Sequence, residues 1–149
     1  MEANLDNETN EMIKSFVLES LDSLDTAEPI IEDIKNTDNI ENINSIFRVF
    51  HTIKGLSSFF GLNQLNSLTH RAETLLDILR KNPNNITDNI IDLIYSNFDL
   101  IRSILIDVSN NFSDVASKND VENMLLLLDE EIESTKMREK SQNIILSNN

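Results

Sequence analysis

Residues that break helices and form turns are scarce in this chain, which has only two glycines and two prolines in 149 residues. A β-sandwich or barrel needs turn signals about every 8–12 residues. Runs of alternating β-branched residues are missing as well. Apolar residues recur instead at intervals of three and four, the spacing of an amphipathic helix. The sequence therefore predicts an all-α protein, and its length suits a single domain.

The first predicted helix covers residues 8–35 and contains Pro29. A proline inside a helix removes a backbone hydrogen bond and clashes with the preceding turn, so it must kink the helix or divide it. The apolar spacing resumes after Pro29, which favours one kinked helix.

Four further helices follow, with Gly61 and Pro83 as breaks and Thr87 as a helix N-cap. Four amphipathic helices joined by short turns predict an antiparallel up-and-down four-helix bundle, with a fifth, C-terminal helix packed outside it or at one end. The predicted domain covers residues 8–139, after a flexible N-terminus at 1–7 and before a flexible tail or linker at 140–149. The second to fifth helices are predicted at residues 40–59, 63–81, 87–109 and 118–139.

The net charge of −14 disfavours nucleic acid and anionic membranes as partners, because both require clustered Lys and Arg. The absence of cysteine excludes disulfides and thiolate metal sites. No run approaches the ~18 apolar residues of a membrane span. The first residues are acidic and polar, unlike a signal peptide. A cytoplasmic protein without membrane insertion is predicted, and the isolated domain is expected to be monomeric.

The chain has two histidines, and both lie within predicted helices. His51 follows Phe50, which belongs to the apolar stripe, so His51 is predicted to face the edge of the bundle or the solvent. Lys54 and Gly55 lie three and four residues later and share its helix face. A glycine within a helix costs roughly 1 kcal/mol relative to alanine. Its presence is more easily explained if a phosphoryl group or a partner must approach the backbone closely.

The second histidine, His70, lies three residues before Glu73 on the next helix. The turn at Gly61 makes the two helices antiparallel neighbours and places His51 and His70 at similar depth. A cluster of both histidines with Lys54 and Glu73 suits phosphoryl transfer. A carboxylate bonded to Nδ1 fixes the imidazole tautomer and leaves Nε2 free to attack phosphorus. Lys54 would then supply positive charge for the phosphoryl oxygens.

Each of these residues taken alone has an ordinary structural interpretation. A lone histidine within a helix is more often structural than functional, and Lys54 or Glu73 alone is typical of a solvated surface. Gly55 alone could mark only a close contact between helices. A metal site built from both histidines and Glu73 is conceivable, but the spacing matches no His-Glu-x-x-His motif, and no metal or cofactor is predicted in this chain.

The run from Phe47 to Gly55, continued by Phe59-Phe60-Gly61-Leu62, closely resembles the phosphoacceptor helix of histidine phosphotransfer (HPt) domains. Leu68 to Asp77 is similar to the N-terminal domain of CheA chemotaxis kinases, whereas HPt domains of hybrid sensor kinases usually lack a histidine at the place of His70. The resemblance covers about residues 8–110 as a pattern. It implies a four-helix bundle with an additional C-terminal helix.

The resemblance also implies a role for each matching residue. His51 is expected to be phosphorylated on Nε2, Glu73 to bond its Nδ1, and Lys54 and His70 to lie beside the phosphoryl group. The sequence departs from the family at Leu56-Ser57-Ser58, where relatives often carry smaller or glycine-containing residues. This departure affects packing or partner fit next to His51 and leaves the reacting group intact.

The implied partners are a CheA-type ATP-binding catalytic domain, which uses ATP and Mg, and receiver domains of response regulators like CheY or CheB. This chain has no glycine-rich nucleotide motif, so it is not expected to be an enzyme by itself. The resemblance implies that it is either an N-terminal domain of a CheA-like kinase or a free-standing phosphotransfer protein. The competing hypothesis is a catalytically silent helical docking module.

Overall fold

The structure is a computed structural model that describes residues 2–36 and 40–147, with side chains described from Asn7 onward. Within these residues it contains helices and no strands. Five α-helices follow one another, and short 3₁₀ helices lie at Glu28–Lys35, Pro83–Asn85 and Val115–Ser117. The five are α1 (Glu2–Ala27), α2 (Ile40–Phe59), α3 (Asn63–Lys81), α4 (Asp88–Asn111) and α5 (Lys118–Ser147).

The predicted architecture is confirmed: α1 to α4 form the four-helix bundle, and α5 packs outside it, mainly on α3 and to a lesser extent on α4. The apolar stripes of all five helices meet in one core. None of the helices in the described part of the chain is long and apolar enough to cross a bilayer. The largest fully buried side chains are Phe50, Phe98, Leu24, Ile31, Ile34, Ile43, Ile46, Ile53, Leu65, Leu68, Leu75 and Leu76.

The prediction of one kinked α-helix around Pro29 was wrong. The α-helix ends at Ala27, and the chain continues as the 3₁₀ helix Glu28–Lys35. Pro29 has no N–H to continue the α-helical ladder, and its ring clashes with the turn before it. A 3₁₀ helix places residues three apart on the same side. Ile31 and Ile34 are therefore both buried, and the apolar spacing continues across the change of helix type.

The predicted outer limits of the first and last helices were also wrong. Helix α1 already begins at Glu2, and α5 continues to Ser147 rather than ending at residue 139. The apolar stripe was the only guide to these ends, and the last turns of α5 bury no side chain: even Ile144, Ile145 and Leu146 are exposed there. Met1 and residues 148–149 of the predicted tails lie outside the described residues. The predicted domain limits stay a prediction.

The turn between α2 and α3 sets the register of the two helices. Gly61 has a φ of 70°, which glycine adopts without steric cost. Its N–H donates to the Ser58 carbonyl at 3.1 Å, and the Leu62 N–H donates to the Ser57 carbonyl at 2.8 Å. This pair of hydrogen bonds is a Schellman motif, which satisfies the last carbonyls of α2. The Leu62 side chain is buried, and α3 begins at the next residue.

The start of α3 is capped from a distant part of the chain. Leu62 precedes α3 and provides no side-chain cap. The carboxylate of Asp114, which follows α4, instead accepts the Leu65 N–H at 2.8 Å. Asp114 is only 4% exposed. A carboxylate at this position satisfies one of the free N–H groups of the first turn and is stabilised by the helix dipole.

We predict that Asp114→Ala destabilises the fold by about 1–2 kcal/mol, because it leaves a buried N–H of α3 without an acceptor. Asp114→Asn keeps an acceptor oxygen but loses the charge, so it should lie between the two. Urea unfolding followed by circular dichroism measures both. Asp22→Ala removes an exposed carboxylate of α1 and is the control, with a change within about 0.5 kcal/mol. Equal effects of the two alanine variants would contradict the distant cap.

Candidate functional site

His51 lies in the middle of α2 with its side chain turned to the outside. The preceding residue, Phe50, is fully buried and meets the Phe98 ring edge-on, with centroids 5.6 Å apart. The His51 side chain is 61% exposed. The predicted contrast between the two neighbours is therefore present, and the imidazole is accessible to another protein.

Glu73 approaches His51 from α3. Its Oε1 lies 3.3 Å from Nδ1 of His51, and its side chain is only 14% exposed. A carboxylate next to Nδ1 favours the tautomer with the proton on that nitrogen. The lone pair then lies on Nε2, at the other side of the ring. This is the arrangement that a nucleophilic imidazole requires.

Lys54 pairs with Glu73. Its Nζ lies 2.8 Å from Oε2 and 3.1 Å from Oε1, so the ammonium group contacts both carboxylate oxygens. Both side chains are largely buried, which limits solvent screening of the pair. The sequence predicted Lys54 as a source of positive charge for phosphoryl oxygens. In this structure the Lys54 ammonium group instead contacts the Glu73 carboxylate, which in turn contacts His51.

The pKa of Glu73 is lowered from its ordinary value of 4.5. Burial of the carboxyl raises this pKa, but the hydrogen bonds from Lys54 and His51 outweigh burial because they favour the charged form. Glu73 is therefore a carboxylate at neutral pH. It can accept a hydrogen bond from the Nδ1–H group of His51 and stabilise positive charge on the ring.

Two polar side chains that were not among the predicted site residues support Lys54. The Ser57 hydroxyl and the Asn66 amide both donate to the Lys54 carbonyl at 2.9 Å. Asn66 belongs to α3, so its bond ties the backbone of α2 at the site to the helix that carries Glu73. Ser57 is fully buried and belongs to the Leu56-Ser57-Ser58 run that departs from the family pattern. That departure was the only sequence signal near this contact.

His70 lies beside the cluster without joining it. The contacts that connect the cluster all involve Glu73 and do not include the His70 imidazole. His70 is exposed and borders a small surface groove together with Glu73 and Phe47. Its predicted role in stabilising a phosphoryl group stays a prediction. In the described part of the chain, no three His, Asp or Glu side chains come together as a metal-binding group.

Gly55 is not required by the packing of this domain. A Cβ atom added there would meet nothing within 4 Å. The interpretation of Gly55 as a close contact between helices of this chain is therefore wrong. Open space beside His51 is consistent with a group that approaches the helix from outside.

Comparison with known proteins finds a matching family and a curated relative. A model of the Hpt domain family matches residues 11–133. Sensor histidine kinase CheAY of Helicobacter pylori is 38% identical over 73 residues, which are 48% of this chain and 9% of that protein. The chain therefore spans only a small part of this curated relative.

A solved structure shares the fold. It is described as the phosphorylated P1 domain of CheA3 in complex with CheY6 from R. sphaeroides. It matches with a TM-score of 0.71 at 20% identity, covering 86% of this chain and 98% of that one.

We predict opposite effects of Gly55→Ala on stability and on phosphorylation. Alanine is the better helix former and meets no obstacle in the free domain, so stability should rise by about 0.5–1 kcal/mol. Phosphorylation should slow if a reacting partner occupies the space that the new methyl group fills. Urea unfolding and the initial rate of phosphoryl uptake measure the two effects. An unchanged rate would show that no close approach occurs at Gly55.

We predict that the stabilising effect of Glu73 depends on pH. Its pKa in the folded protein lies below 4.5, so the carboxylate contributes stability above that value and loses it as the pH falls through the folded-state pKa. At neutral pH the free energy of unfolding of the wild type should exceed that of Glu73→Gln by about 1 kcal/mol. This is the scale of an ion pair that keeps some contact with solvent.

Urea unfolding at a series of decreasing pH values measures this difference, which should vanish when Glu73 is protonated. Glu122→Gln, on the exposed face of α5, is the control for a general loss of negative charge. A difference that persisted in acid would contradict the ion pair as its source.

Proposed function

Because this chain belongs to the Hpt domain family, we propose that it carries a phosphoryl group on Nε2 of His51. The group passes from an ATP-dependent kinase domain to this histidine and then to the aspartate of a receiver domain. The observation that carries the proposal is the 3.3 Å contact between Nδ1 of the exposed His51 and the largely buried carboxylate of Glu73.

The first transfer forms an N–P bond at His51. The Nε2 lone pair attacks the γ-phosphorus of ATP held by the kinase domain, the bond to the bridging oxygen breaks, and ADP leaves. The imidazole keeps its proton on Nδ1 and becomes positively charged. Glu73 stabilises this charge, as the carboxylate of a catalytic triad stabilises its imidazolium. ATP and Mg²⁺ belong to the kinase domain and not to this chain.

The second transfer returns His51 to its starting state. A carboxylate oxygen of the receiver attacks phosphorus, and the N–P bond electrons return to Nε2. Because Nδ1 keeps its proton throughout, the leaving group is a neutral imidazole rather than an anion. Glu73 thus serves both transfers by holding one tautomer, and Lys54 keeps the carboxylate of Glu73 charged.

The comparisons support these two classes of partner. The curated relative is named a sensor histidine kinase, and the solved structure with the same fold is a P1 domain in complex with CheY6. For this chain, a CheA-type catalytic domain is the proposed donor. Receiver domains of the CheY or CheB type are the proposed acceptors.

We predict that His51→Gln abolishes phosphorylation and that His70→Gln does not. The chain has two histidines, so the pair of variants assigns the phosphorylated one. The measurement incubates each protein with labelled ATP and a separately purified CheA-type catalytic core. The label on wild type and on His70→Gln should be acid-labile and base-stable, as expected for a phosphohistidine.

Phosphoramidate, a small phosphoryl donor for histidine, tests the same assignment without a matched kinase. Label on His51→Gln from either donor would contradict the proposed acceptor. Failure of wild type with both donors, together with failure to accept a phosphoryl group from a phosphorylated receiver, would favour a silent docking module instead.

A further inference from the structure

The contact with Glu73 restrains one edge of the His51 ring but does not by itself fix the ring plane. A single contact at Nδ1 leaves the imidazole free to tilt about that contact. The direction of the Nε2 lone pair changes with this tilt. A nucleophile that reacts in line with a leaving group benefits from a second restraint.

Phe47 provides a second contact to the ring. It lies one helical turn before His51 on α2, where side chains four residues apart meet. The two rings are nearly parallel, with an angle of 12° and centroids 6.0 Å apart. The phenyl ring therefore lies alongside the imidazole and favours one orientation of its plane.

Arg80 restrains Phe47 from the other helix. Its guanidinium carbon lies 4.0 Å from the centroid of the Phe47 ring, within the range of a cation–π contact. The guanidinium is itself held by Asp77, one turn earlier on α3. Arg80 Nε donates to Oδ1 of Asp77 at 2.8 Å, and Nη2 lies 2.7 Å from the same oxygen. The planar group is thus fixed in a stacking position.

We propose that Arg80, stacked on Phe47 and held by Asp77, is a positioning residue that fixes the plane of the His51 ring. The inference rests on the proposed phosphoryl transfer and adds a specific determinant to it. Glu73 then sets the tautomer and the position of Nδ1, and the Phe47–Arg80 stack sets the tilt of the ring. Both Glu73 and Arg80 lie on α3, so one helix would orient the nucleophile of the other.

The chain offers a matched control for an ordinary surface ion pair. Arg71 also lies on α3 and pairs with Asp129 of α5. Both arginines are partly exposed, and it is Arg80 whose guanidinium lies over the Phe47 ring. Arg71→Gln should therefore remove an arginine–aspartate pair of α3 without affecting the orientation of His51.

The first arm of the experiment measures the ring itself in the full chain. Aromatic NMR spectra report the His51 ring-proton shifts, which depend on the ring current of Phe47. Phe47→Leu should move these shifts strongly, and Arg80→Gln should move them in the same direction. Arg71→Gln should leave them at the wild-type values. Arg80→Lys, which keeps the positive charge, should give shifts between those of Arg80→Gln and wild type. Wild-type His51 shifts in Arg80→Gln would overturn the proposal.

The second arm measures phosphorylation by a CheA-type catalytic core. We expect Phe47→Leu and Arg80→Gln to lower kcat by about 10-fold with an unchanged KM for this domain, because a tilted nucleophile binds but reacts slowly. Phe47→Tyr, which keeps an aromatic ring, should restore the rate. Wild-type kcat in both Phe47→Leu and Arg80→Gln, or an equal loss in Arg71→Gln, would overturn the positioning role.

The two arms separate this proposal from the proposed function. If wild type accepts no phosphoryl group while the ring shifts respond as expected, the phosphotransfer function fails and the positioning contact stands. If wild type is phosphorylated and the shifts and rates of Arg80→Gln match wild type, phosphotransfer stands and the positioning role fails. Unfolding midpoints of all variants, compared with wild type, exclude loss of the fold as the cause.

Discussion

The pairing of α2 with α3 is the constraint on which the site depends, because α2 supplies His51 and Lys54 while α3 supplies Glu73. The Schellman turn at Gly61 fixes where α3 starts relative to the end of α2. The bond from Asn66, about one turn into α3, to the Lys54 carbonyl repeats that constraint. A shift of one residue between the helices would rotate Glu73 away from both partners. The site geometry is therefore a property of the helix pair and not of either helix alone.

Electrostatics in the site oppose those of the chain as a whole. The protein carries a net charge of −14, which repels an incoming phosphoryl group. At the site, the Lys54 ammonium contacts both oxygens of Glu73 and neutralises the carboxylate nearest to His51. Arg80 similarly compensates Asp77 on the same side of α3. The negative groups that orient the imidazole are thus present without adding their full repulsion at Nε2.

Sequence patterns identified the fold and the central residues because those features have local signals. Gly61 and Pro83 delimit α3, and the neighbours Phe50 and His51 face opposite sides because helical spacing requires it. The boundary at Ala27 was not predictable in the same way, because residues three apart share a side in both α and 3₁₀ helices. The end of α5 lies beyond the buried stripe and carries no periodic signal.

The finer contacts of the site depend on side-chain conformations across helices, which spacing does not determine. Lys54 was expected to face a phosphoryl group, but its flexible chain reaches the carboxylate of Glu73. The spacing of His70 and Glu73 placed both on one face, yet only Glu73 extends to His51. Gly55 had two interpretations in the sequence, and the space around it excludes only the contact between helices of this chain.

The cap that Asp114 provides for α3 has a consequence for the order of folding. The bond joins residues 49 positions apart, and chains leave the ribosome from the N-terminus. Helices α2 and α3 therefore emerge, and can begin to pair, before Asp114 has been synthesised. Until α4 and the turn after it are in place, the first turn of α3 keeps a free N–H group that water must satisfy. The helix that presents Glu73 to His51 is thus completed late in biosynthesis, because its first turn depends on a segment far along the chain.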